Sequence, residues 1–236
     1  ELGRLGRVCS VFSLLFSEGI FPGFADKIQR AAGDQRVVGL IARVGAAPMG
    51  LATIQEVRDA IGLFAASDKF TIAFSESFGE FGPGTGAYYL ASAFDEIYLQ
   101  PSGDLGLTGL AYESPFLRGS FDKLKIEPRL LQRKEYKNFA DMFLRRDYND
   151  AHREAMQDLM KSQFDQIVSG IGRSRDMAAT EVASIMDLAP FSASQALHHG
   201  FVDSLLYRDE VYGLVDDRSG SADRLYLRKY LARAGR

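Results

Sequence analysis

One cysteine in 236 residues, Cys9, excludes an internal disulfide and any cysteine cage for a metal. Histidine is nearly as scarce. His152, His198 and His199 are too few and too badly spaced for a typical zinc site, and none falls in a His-Glu-x-x-His pattern. No metal or other cofactor is therefore expected. Positive charge is not in excess: 28 Lys and Arg against 31 Asp and Glu leave a formal net charge of −3. Nucleic acid is excluded on that ground, because phosphate binding needs a basic footprint. Long apolar runs are missing near the start as well, where Val11-Phe12 and Leu14-Leu15-Phe16 are split by Ser13. That is well below the roughly 18 residues that span a bilayer. The same segment, CSVFSLLF, has no small-residue cleavage pattern after it and reads as a buried strand or helix edge.

What is present is an ordinary globular composition, 46% hydrophobic and 25% charged, long enough for one large domain or two small ones. Phe24, Ile28 and Ala31 or Ala32 face Asp26, Lys27, Gln29 and Arg30 across a helical period, predicting a short amphipathic helix. Val37 to Ala42 is a near-continuous apolar run, the pattern of a parallel strand covered on both faces. Thr53 with Glu56 forms a capping box ahead of Ile54, Val57, Ile61 and Phe64, and Phe70 to Phe74 reads as the next strand. Gly82, Gly84 and Gly86 then bracket Thr85 in a turn that feeds a helix through Tyr88, Tyr89, Leu90, Ala93 and Phe94. Glu96 to Leu99 is a third strand, broken by Pro101-Ser102-Gly103-Asp104. This alternation predicts an α/β fold with a parallel sheet and right-handed crossovers.

Further along, Pro115 to Leu124 suits a helix buried through Phe116, Phe121 and Leu124, and Arg129 to Gln132 a short strand. A long amphipathic helix is predicted from about Ala151 to Gly172, capped by Asn149 or Asp150, and a shorter one through Met186 capped by Thr180. Ser192 and Gln195 make another capping box, with Gly200 ending that helix in a left-handed turn. Residues 216–221 read as polar and flexible, and Tyr226 to Arg236 as a basic connector.

A glycine turn opening a helix is how an α/β enzyme brings backbone N–H groups up to a reacting carbonyl, but a lone Gly-x-Gly is more often only a turn. Ser75 and Ser77 lie in no Gly-x-Ser-x-Gly elbow and read as turn formers. His198-His199 with Asp203 suggests a Ser-His-Asp hydrolase, yet both histidines sit in the last turn of a capped helix, where a cation complements the helix dipole.

Two segments, GTGAYYLASAFDEIYLQPSGDLGLTGL and FLRGSFDKLKIEPRLLQRKEYKNFADMF, resemble the amino-terminal domain of long-form signal peptide peptidase A, or protease IV, a family of membrane-associated serine peptidases. The resemblance runs from about Val37 to Val215, and PFSASQALHHGFVDSL is similar to the segment that closes Clp-like and crotonase-like domains. It implies the superhelical β-β-α fold shared by Clp proteases and crotonases, with a mostly parallel sheet. It also implies a Clp-like domain over residues 1–215 and a connector over 216–236 leading to a second repeat outside this chain.

The resemblance implies that Tyr136-Lys137 carries the catalytic lysine of a Ser-Lys dyad, and Lys137 is the one catalytic residue expected here. Short-form members place the nucleophilic serine just before their Gly-x-Tyr-Tyr segment. Thr85 stands at that place, so the serine is expected in the second half of the protein. Glu135 and Asp141 would hold Lys137 charged unless they point away, whereas Lys134 would push the other way.

The implied activity is cleavage of signal peptides or other membrane-released peptides. The implied place is a bacterial inner membrane, with the catalytic domain on the periplasmic side and an anchor outside these residues. Peptide substrates, the carboxy-terminal half of the same protein and further copies of it are the expected partners. Self-association is also suggested by 17 Phe and 10 Tyr, several in loops such as Phe78-Gly79-Glu80-Phe81 that a monomer would expose. A non-catalytic Clp-like scaffold stays open as an alternative, and a crotonase-type acyl-CoA enzyme is favoured only by fold kinship.

Overall fold

A computed structural model describes residues 7–11, 23–45, 49–80, 82–227 and 230. The chain clusters into two units, one from the residues up to Gly109 together with those from Val168 onward, the other from Leu110 to Ile167. In chain order the elements up to Gly109 are β1 (Arg7–Val11), α1 (Phe24–Gly33), β2 (Val37–Arg43), α2 (Leu51–Ala65), β3 (Phe70–Ser75), α3 (Thr85–Ala91), β4 (Glu96–Leu99) and β5 (Asp104–Leu105). The second unit holds α4 (Arg118–Leu124), α5 (Asp141–Leu144) and the start of α6 (Asp150–Arg175). After it come α7 (Ala179–Met186), β6 (Phe191–Ser192), α8 (Ala193–His198), β7 (Ser204–Leu205), α9 (Arg208–Ser219) and β8 (Asp223–Tyr226).

Six strands form one sheet in the order β7-β4-β3-β2-β1-β8, with every neighbouring pair parallel. Helices on a sheet's faces leave little for water to reach, which is why β2 and β3 read as continuous apolar runs rather than alternating ones. Leu40, Ile72, Ile97 and Leu99 are fully buried. The two amphipathic helices bury the predicted positions, Phe24, Ile28 and Ala31 on α1 and Ile54, Val57, Ile61 and Phe64 on α2. Each such Ile or Phe contributes about 1.5–3 kcal/mol by leaving water. The small pair β5–β6 is antiparallel, and Phe78 bridges to Leu105 beside it.

Several expectations need correction. α2 starts at Leu51 behind Gly50 with no side-chain cap, so Thr53 lies inside the helix rather than capping it. α7 likewise starts behind Ala178, with Thr180 inside it. Residues 129–132 form no strand, and α4 is shorter than predicted and buries none of its residues, Leu124 being 66% exposed. The polar run at 216–221 is not a loose connector: Asp216 to Ser219 complete α9, Gly220 closes it at φ 63°, and Ser221 N–H donates to Asp216 O at 2.7 Å. β8 then joins the main sheet against β1. Val211, Val215 and Ala222 pack in the core with Ile41, Ile72, Phe74 and Tyr98. Other signals hold: Asn149 Oδ1 accepts from His152 N–H at 2.7 Å at the head of α6, and Ser192 and Gln195 make their reciprocal box.

Candidate active site

In the sheet unit, the glycine turn follows the C-terminal end of β3 and is held by backbone bonds. Phe78 N–H donates to Asp104 O at 2.8 Å, Gly106 N–H to Phe78 O at 2.7 Å, and Gly84 N–H to Gly106 O at 2.8 Å. The closeness of these two strands of chain is what Gly84 permits, since a Cβ there would lie 1.8 Å from Phe78 O. Thr85 is buried and its Oγ1 accepts from Gly109 N–H at 3.1 Å, which helps to hold the turn. Behind it, Tyr88 is fully buried, donates to Phe201 O at 2.6 Å, and meets Phe78 and Phe201 edge to face. Burial pushes its phenol far above the ordinary range. Phe78 is thus core, against the expectation of an exposed aromatic loop; Phe81 lies outside the described residues.

Ser75, Ser77 and the two histidines singled out in the sequence sit in turns and at a helix end. Ser75 is buried and donates to Ser77 O at 2.8 Å, while Ser77 donates to Asp104 O at 3.2 Å. Asp203 is taken by Arg175, which donates to its two oxygens at 2.9 and 3.0 Å, and by Ile97 N–H at 2.7 Å. It therefore orients neither His198 nor His199, which close α8 as expected.

In the second unit, Lys137 stands immediately before a single 3₁₀ turn, Asn138–Ala140, and its side chain is exposed. Its N–H donates to Lys134 O at 3.4 Å, closing the turn that Lys134 enters at φ 64°. Among the described residues its ammonium has no ion pair or hydrogen bond. Tyr136 donates to Glu154 at 2.7 Å, and that bond raises its pKa. Asp141, flagged as a possible partner of the lysine, is fully buried and engaged elsewhere. Its carboxylate accepts from Arg145 Nε at 3.0 Å and Asn149 Nδ2 at 2.9 Å, and lies 3.3 Å from His152 Nδ1, out of line for a hydrogen bond. Sequence reasoning placed Asp141 near the lysine but missed this cluster. Its signals were the spacing of Asp141 to Arg145 and the cap at Asn149.

Among the described residues no group of three or more His, Cys, Asp or Glu is placed to hold a metal ion. None of their helices is long and apolar enough to cross a membrane.

This chain, a parallel α/β sheet with a glycine-rich turn after a central strand, has the Clp/crotonase-like fold. Residues 79–220 match the model of peptidase family S49, and the chain belongs to that family. It is 24% identical over 216 residues to the chloroplastic serine protease SPPA of Arabidopsis thaliana, covering 91% of this chain and 31% of that protein. To Protease 4 of Haemophilus influenzae it is 26% identical over 214 residues, covering 86% of this chain and 32% of the other. The chain thus spans about a third of the length of these relatives. Among solved structures, a serine-to-alanine variant of a membrane-bound stomatin-specific protease shares the fold with a TM-score of 0.50 at 9% identity, covering 94% of this chain and 96% of that one.

Proposed function

We propose that this chain carries the general base, Lys137, of a Ser-Lys peptidase whose nucleophilic serine lies outside it. The observation that carries this reading is an asymmetry of commitment. The hydroxyls of Thr85, Ser75 and Ser77 are held in turn-forming bonds, whereas the Lys137 ammonium is exposed and unpartnered and the nearby Asp141 is neutralised by Arg145. Membership of a peptidase family supports the reading.

In this mechanism the lysine amine takes the proton of the serine hydroxyl as Oγ attacks the peptide carbonyl, and backbone N–H groups stabilise the oxyanion. The resulting ammonium protonates the leaving amine, and water then releases the acyl group from serine by the same base. A lysine does this only when neutral, and lysine ordinarily holds its proton to about pH 10.4. Catalytic lysines are brought toward about 7–8 by burial and neighbouring positive charge, so an exposed Lys137 needs a cover. The carboxy-terminal half of the same protein, or a further copy of it, is the cover we assign. Signal peptides and other membrane-released peptides are the proposed substrates, with the site on the periplasmic side of a bacterial inner membrane and the protein held there by an anchor outside these residues.

In the full-length protein, Lys137→Ala should lower kcat by about 10³-fold or more without changing its unfolding transition, and Lys134→Ala should leave most activity. The chain alone should hydrolyse no peptide. Undiminished activity in folded Lys137→Ala overturns the reading and favours the scaffold alternative for this part of the protein.

A further inference from the structure

We propose that Asp141 is a positioning residue for Lys137, a proposal that rests on the lysine reading above. Asp141 is the one fully buried carboxylate among the described residues. Taking a carboxylate out of water costs several kcal/mol unless partners replace the water, and a well-packed neutral residue of similar size usually serves stability as well or better. A buried charge kept where packing does not need it marks a place where geometry is being specified.

The geometry at Asp141 joins the lysine turn to the head of the long helix. Lys137 enters the 3₁₀ turn Asn138–Ala140, and Asp141 is the next residue, opening α5. Its Oδ1 accepts from Arg145 Nε at 3.0 Å within that segment, which by itself would be an ordinary pair one helical turn apart. Its Oδ2, however, reaches beyond α5 to accept from Asn149 Nδ2 at 2.9 Å and approaches His152 Nδ1 to 3.3 Å. Asn149 is bound at both ends of its amide, because its Oδ1 accepts from His152 N–H at 2.7 Å as the cap of α6. His152 is fixed in turn between Tyr148 and Phe116, with ring centroids 4.7 and 6.2 Å away.

A short turn with one weak closing bond at Lys137 N–H thereby acquires the rigidity of α6, a 26-residue helix. The network also consumes the carboxylate's charge. Were Asp141 free to turn toward Lys137, it would keep the amine protonated; bonded to Arg145 and Asn149, it holds the lysine without pairing with it. Asp141 touches neither substrate nor the transferred proton. It acts through the backbone of residues 137–141.

The test uses the full-length protein with three variants: Asp141→Asn, which keeps the shape and loses the charge; Asn149→Ser, which keeps a helix-capping oxygen and loses the amide donor; and Lys137→Ala. Active sites are counted with a fluorophosphonate serine probe, so that rates are expressed per competent site. Asp141→Asn and Asn149→Ser should each lower kcat per titrated site by about 10- to 100-fold with KM changed less than about 2-fold, as expected of a displaced base. The double variant should be no worse than Asp141→Asn alone, because both cut one link. Backbone amides of residues 138–141 should exchange about 10-fold faster in Asp141→Asn, a readout independent of the chemistry.

A merely structural role would instead reduce the number of titrated sites and leave kcat per site unchanged. That result, with Lys137→Ala inactive, overturns the positioning role and leaves the lysine in place. An active Lys137→Ala overturns both, while the exchange data still report whether the tether exists.

Discussion

The glycine turn of the sheet unit and the lysine turn of the second unit are opposite solutions to holding a short loop. At residues 78–86 the chain is fixed by its own backbone: paired N–H and C=O groups, a glycine where nothing larger fits, and a buried tyrosine behind. At residues 134–141 the backbone supplies a long bond from Lys137 N–H to Lys134 O and the bond of a single 3₁₀ turn, Asp141 N–H to Asn138 O, and a buried carboxylate adds links through side chains. Phe139 is 74% exposed and Leu131 wholly so, whereas Phe78, Thr85 and Tyr88 are sealed. The first loop is made rigid by the fold. The second is held by a few short-range bonds and a side-chain network, and its surface is exposed.

If that contrast is right, the two regions should answer substitution very differently. Gly84→Ala should have the largest effect, because the added methyl meets the immovable Phe78 carbonyl at 1.8 Å. A loss of at least about 3 kcal/mol in urea unfolding is expected, and a loss under about 1 kcal/mol would mean that the two chain segments are not pinned as described. Tyr88→Phe comes next. It strips the donor from the buried Phe201 carbonyl and should cost about 1–3 kcal/mol in the same assay.

A smaller effect is visible only at high pH. Burial, and then the hydrogen bond to Glu96, push the Tyr98 phenol up to about 12. An unfolded tyrosine ionises near 10, so the unfolded state loses its proton first as pH rises. This contribution is intact below pH 10 and is lost between about 10 and 12. Stability measured at pH 8 and pH 11 should therefore converge in Tyr98→Phe relative to the unsubstituted protein. Smallest of all, Leu131→Ala in the exposed loop should change stability by no more than about 0.5 kcal/mol; a larger loss would show that this loop is packed after all.

The sheet unit was legible because its signals are local and repeated. The runs at 37–43 and 70–75 and the faces of α1 and α2 each announce a buried surface within one element. Helix ends with their own chemistry, Asn149 and the Ser192–Gln195 box, could be read for the same reason. Thr53 misled because a hydroxyl with a glutamate three residues on fits a helix interior as readily as a cap once Gly50 has turned the chain. Asp223–Tyr226 was invisible because only Leu225 of that strand is buried, and its partner lies at the other end of the sequence. Lys137 could not be told from Lys134 by residue type; the motif resemblance selected it, and only the folded chain brings Arg145 and Asn149 to Asp141.

The pairing of β1 with β8 has a consequence in time. Arg7 lies opposite Asp223, so β1, which precedes the other strands of this sheet in the chain, is bonded on one side to β2 soon after synthesis and on the other only when nearly all of the described chain has emerged. Closing so long a loop carries an entropic cost that grows slowly with length, but it cannot begin before its second end exists. Until then β1 is an unpaired edge, the kind of surface that recruits a stray strand. On the ribosome, the last act of folding for this sheet is to seal the side that was made first.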